Sequence, residues 1–180
     1  MGMLLQGFGD YEAALTQYQR SLEIDEKIRD IKGVSAILHN IGTIYQEKGD
    51  YNSALTQYQK SLEIDKKIGD IKGVSDSLHQ IGMIYQEKGD YDAALTQYQK
   101  ALEIREKVGD IVGMAISMGQ MGGLYLEQNQ FETALKLLLQ SFPIFSKIGS
   151  PNANIVKDNI AIVREKMPEE QFNAILKELG

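Results

Sequence analysis

The chain has 180 residues, 43% of them hydrophobic, a net charge of −6 and a pI near 5.0. So acidic a balance argues against a nucleic-acid surface, which needs dense Lys and Arg, and the absence of cysteine excludes disulfides, thiolate metal sites and cysteine nucleophiles. No apolar run approaches the ~18 residues of a membrane span and no signal-peptide pattern opens the chain, so a soluble cytoplasmic protein without membrane partners is the expectation.

In chain order, the opening MGMLLQGFGD aligns with the later IGMIYQEKGD, so the chain is expected to enter an array in the middle of a first helix, either as a piece of a longer array or with a first repeat that has lost half that helix. From Gly9 the sequence repeats every 40 residues. Gly9 to Lys48 and Gly49 to Lys88 share 31 of 40 positions, a third copy runs from Gly89 to Gln128, and a weaker fourth starts at Asn129. A period of this size indicates a stacked array in which one repeat cannot bury its apolar face alone.

Each copy divides into two helical halves. Gly49-Asp50, Gly69-Asp70, Gly89-Asp90 and Gly109-Asp110 mark the divisions. Glycine reaches the left-handed state that ends a helix, and the following Asp caps the next one. Asn129 stands in for one such glycine, and Ser150-Pro151 supplies an N-cap followed by a first-turn proline. Apolar residues recur at spacings of three and four, as in Val74, Leu78, Ile81 and Tyr85. Helices are expected at 11–28, 31–48, 51–68, 71–88, 91–108, 111–128, 131–147, 152–166 and 169–179, with no strand. Pro143 is expected to kink or end its helix near Phe142.

The motif Leu38, Ile41, Gly42, Tyr45, Ala54, Tyr58 recurs as Leu78, Ile81, Gly82, Tyr85, Ala94, Tyr98, and again as Met118, Met121, Gly122, Tyr125, Ala134, Leu138. It resembles the tetratricopeptide repeat, in the longer variant found in kinesin light chain and regulatory adaptors. The resemblance implies an all-α, right-handed superhelical solenoid of antiparallel helix pairs, with the first helices lining a concave groove. It divides one array over 1–180 into a truncated repeat at 1–28, repeats at 31–68, 71–108 and 111–147, and a degenerate capping repeat at 152–180.

At ~100° per residue, the side of each first helix opposite the packing stripe carries Ala36, Asn40, Thr43 and Glu47. One repeat later it carries Asp76, Gln80, Met83 and Glu87, and next Ile116, Gln120, Gly123 and Glu127. His39, His79, Gly119 and Leu126 lie on a flank. The first two copies differ at nine positions, three of them the pairs Ala36/Asp76, Asn40/Gln80 and Thr43/Met83 on this side. Asn40, Gln80, Gln120 and Asn159 form a ladder of amides, and an amide can bind a peptide backbone through donor and acceptor together. The resemblance implies that role; a solvated polar face is the alternative. Ile116, Gly119, Gly123 and Leu126 suggest an apolar recess, open to a partner or filled by the fourth repeat.

His39 and His79 lack a second strong ligand four residues on, so no metal or cofactor is expected. Glu63 and Asp65 are read as exposed helix charges, and no catalytic residue is identified. Glu47, Glu87 and Glu127 in the groove disfavour an acidic C-terminal tail and favour a basic or neutral peptide. The expected function is a non-enzymatic protein-binding scaffold or adaptor, including the peptide-sensing domain of a larger signalling protein. The alternative is a homo-oligomer joined through its open edge at Met1–Phe8.

Overall fold

A computed structural model of the chain describes residues 10–179. Among the described residues there are helices only: α1 (Tyr11–Ile28), α2 (Ile31–Glu47), α3 (Tyr51–Ile68), α4 (Ile71–Glu87), α5 (Tyr91–Val108), α6 (Ile111–Glu127), α7 (Phe131–Lys147), α8 (Asn152–Lys166) and α9 (Glu169–Leu179). The expected boundaries hold to within one residue. The truncated helix expected before Gly9, and the open edge assigned to it, lie outside the described residues.

Local chemistry sets the boundaries. Asp10, Asp30, Asp50, Asp70, Asp90 and Asp110 each accept from the backbone N–H three residues on, at 2.9–3.2 Å. Each such cap contributes about 1 kcal/mol by satisfying a donor the helix leaves open. Gly49, Gly69, Gly89, Gly109 and Gly149 have positive φ, and Asn129 takes the same conformation at φ 60°, as its substitution for glycine requires. Arg29 also adopts it.

The chain forms two compact units, divided within α5 between Gln97 and Tyr98. In the first, α2 packs against α1 and α3, and α3 packs against α4. Ala14, Ile44, Ala54, Tyr58 and Ile84 are wholly buried. In the second, α6 packs on α7, α7 on α8, and α9 returns to α7. Its core includes Leu135, Leu138, Phe145, Val156 and Val163, closed by Phe172 and Ile175 of α9. On its rim Lys136 bridges Glu132 and Glu178 at 3.2 Å each.

Pro143 does not end α7, which continues to Lys147. Proline removes one helical donor, but Pro143 is exposed and Phe145, two residues on, is buried. Burying such a side chain is worth about 1.5–3 kcal/mol, which favours carrying the helix past the interruption.

Two helical glycines have opposite surroundings. A Cβ on Gly42 would lie 2.8 Å from the ring of Tyr58, which is completely buried and has nowhere to go. A Cβ on Gly123 would meet only Asn159 Nδ2, at 3.8 Å. Urea denaturation should therefore show Gly42→Ala destabilising by about 1–3 kcal/mol through overpacking. Gly123→Ala should stabilise by up to about 1 kcal/mol through helix propensity.

Candidate functional site

In the first unit the amide face of α2 meets the first turns of α4 above α3. Lys32, Ala36, His39, Asn40, Asp65, Asp70 and Asp76 are among the residues lining a pocket of about 220 Å³ there. Asn40 and Gln80 are half-buried, and in the second unit so are Gln120 and Asn159. Among the described residues, none of these four amides makes an intramolecular hydrogen bond. An amide partly shielded from water with its donors and acceptor uncommitted can bond an incoming backbone.

Other residues of the expected face are already engaged. Thr43 Oγ1 donates to His39 O at 3.2 Å and lies 3.1 Å from Tyr58 Oη, which donates to Gln46 at 2.9 Å. His39 is half-buried with its ring edge-on to Tyr58, centroids 5.1 Å apart. His79 is buried, so it offers a partner little surface. Met83 is half-buried; Glu47 and Glu87 are exposed, and Glu87 accepts from Tyr51 Oη at 3.4 Å.

The structure decides between the two readings of the recess on α6. Ile116 and Leu126 pack on the core of the second unit. A Cβ at Gly119 would lie 3.3 Å from Phe145 and 3.7 Å from Val156, so the fourth repeat occupies that place. The recess at Gly119 is therefore filled by the chain itself; open space remains only about Gly123.

One reading is overturned. Glu63 is exposed, but Asp65 is only 4% exposed and lies beneath the first turn of α4. A Cβ on Gly73 would collide with its carboxyl group at 2.6 Å. Ser35 Oγ donates to Asp65 Oδ1, and Ser35 and Ser61 hydroxyls stand 2.9 Å apart. Ser61 and Ser77 reach Oδ2 at 3.5 Å. The sequence carried a signal for this: Gly33, Gly73 and Gly113 recur in first turns, eight residues beyond Asp25, Asp65 and Arg105. A first-turn glycine needed for neither a bend nor a cap implies a close approach.

Residues 1–67 and 73–147 match the model of the tetratricopeptide repeat. The chain belongs to the tetratricopeptide repeat family. Solved structures share the fold. They include a STAND (signal transduction ATPase with numerous domains) protein with a tetratricopeptide repeat sensor from Pyrococcus horikoshii (TM-score 0.85, 23% identity, 98% of this chain and 28% of that one). The apo form of RapI aligns at TM-score 0.84 and 17% identity, over 97% of this chain and 48% of RapI. BtubC (BKLC) from P. vanneervenii aligns at 0.83 and 18%, over 98% of this chain and 74% of BtubC. This tetratricopeptide repeat chain thus spans about half of RapI and about a quarter of the STAND protein. Among curated proteins, none matches it. No described helix is long and apolar enough to cross a membrane.

Burial holds the His39 imidazole below its ordinary value of 6.5, against the opposing pull of the Asp76 and Asp65 carboxylates. A base depressed in the folded state contributes stability that is complete above about pH 6.5 and is lost as pH falls through the folded value. NMR titration should place His39 below 6.5. Thermal melts between pH 7 and pH 5 should lose more stability in the native chain than in His39→Gln.

Proposed function

We propose that the chain is a protein-interaction module that holds an extended peptide or partner helix along the first-helix faces of a single array. Asn40 and Gln80 in the first unit, and Gln120 and Asn159 in the second, bond the partner's backbone. The supporting observation is that all four amides are half-buried and make no intramolecular hydrogen bond among the described residues. Side-chain amides fix backbone position without dictating sequence, so specificity falls to the neighbouring pockets. In this reading the module is a cytoplasmic, non-catalytic scaffold or adaptor. The STAND protein has a tetratricopeptide repeat sensor, which supports sensing as one use of such a module.

Selection from a displayed peptide library, followed by calorimetry on the selected peptide, tests this. Asn40→Ala with Gln80→Ala should weaken binding by roughly tenfold or more, at about 1 kcal/mol for each lost hydrogen-bonding amide, with the melting temperature little changed. Undiminished affinity would refute the amide role. Light scattering over a concentration series separates this from self-assembly: a binding module keeps the monomer mass throughout.

A further inference from the structure

The pocket of the first unit contains a buried carboxyl group whose partners are hydroxyls and not a cation. Asp65 is 96% buried, and among the described residues its carboxyl group accepts only from the hydroxyls of Ser35, Ser61 and Ser77. Among the described residues, no Lys or Arg lies within ion-pair distance of it. Lys32, the lysine on the pocket wall, pairs instead with Asp70, also on that wall, at 3.1 Å, with its side chain 77% exposed. His39, the other basic group facing the pocket, favours its neutral form because it is shielded from water. Buried charges in proteins are ordinarily paired, because hydroxyl dipoles replace only part of the lost hydration.

A second, independent observation identifies the missing group. Forty residues on, the position of Asp65 is Arg105, itself 4% exposed. Its Nη1 donates to Ser117 Oγ at 2.8 Å and Gly113 O at 3.1 Å, beneath the first-turn glycine equivalent to Gly73. The fold therefore accommodates a guanidinium at this register. Position 36 changes with it: Ala36 accompanies Asp65, whereas Asp76 accompanies Arg105. Ala36 leaves the space that a larger side chain would take, and Asp65 lines that same space.

We propose that this pocket is a socket for a basic side chain of the bound partner, arginine before lysine, whose cation pairs with Asp65. The proposal deepens the groove reading and rests on it for the path of the partner's backbone. A guanidinium suits the site because its planar donors can bond a carboxylate and nearby carbonyl or hydroxyl oxygens together. Asn40, on the same rim, would hold the backbone from which that side chain descends.

The test uses two tripeptide probes, acetyl-Gly-Arg-Gly-amide and its citrulline counterpart, which has nearly the same shape and no charge. Each is titrated into the full chain and followed by NMR at Ser35, Ala36, Asp65 and Gly73. The arginine probe should bind at least about tenfold more tightly than the citrulline probe, the scale of one charge-assisted pair. Asp65→Asn should lower the arginine probe to the citrulline level, with circular dichroism reporting that the chain remains folded. Should D65N unfold, Ala36→Arg provides the second arm: it supplies the chain's own cation, and should raise the melting temperature and block the arginine probe. Equal binding of the two probes, no shift at these residues up to tens of millimolar, or an arginine preference unchanged in D65N and A36R would each overturn the socket. Equal binding that disappears in Asn40→Ala would overturn the socket and leave the groove reading standing. An arginine preference that survives Asn40→Ala would support the socket even if the amide ladder failed.

Discussion

Two of the helix pairs rest on the contact of a large side chain with the bare backbone of its partner. Tyr58 of α3 lies against Gly42 of α2, and Leu138 of α7 lies against Gly122 of α6, so close that a Cβ on either glycine would sit at 2.8 Å. The contact sets both the separation and the rotation of the two helices. With Gly42 against Tyr58, Ile41 and Ile44 are buried in the core and Asn40 is half-buried. The half-buried position of Asn40 therefore follows from packing around a buried ring.

Glycine is used a second way at the other end of the first helices. Gly73 and Gly113 lie in first turns, where the absence of a side chain admits Asp65 and Arg105 beneath them. The repeat thus contains an apolar close approach in its middle and a polar one at its end. Serines surround the polar one: Ser35, Ser61 and Ser77 supply donors to a carboxylate, whereas Ser117 accepts from a guanidinium. A hydroxyl both donates and accepts, so the same repeat tolerates either sign of charge. Successive copies of the repeat thus differ in chemistry at this one register.

The second unit shows how local sequence signals lose to tertiary contacts. Gly119 and Gly123 look alike in the sequence, two small residues on one side of α6. Phe145 covers the first, and only Asn159 approaches the second. Phe145 reaches that position because α7 continues past Pro143, where the proline rule by itself permits a stop. The distinction lies in what neighbouring helices contribute, which no window of α6 or α7 contains.

The 40-residue period, the Gly-Asp divisions and the three- and four-residue apolar spacing were enough to determine the helices, their boundaries and their family. These are short-range properties: a cap acts across three residues, and an amphipathic stripe can be read from one helix. The recurrence of an amide at Asn40, Gln80, Gln120 and Asn159 is legible for the same reason, since it is a matter of spacing along the chain. Only the tertiary structure decided that Asp65 is buried, that His79 is buried, that Thr43 is bonded to Tyr58 and that Gly119 is covered. On an isolated helix Asp65 belongs to the polar side with Glu63. It is buried because α2 and α4 both close over α3 at that point, and burial of that kind is a property of three helices together.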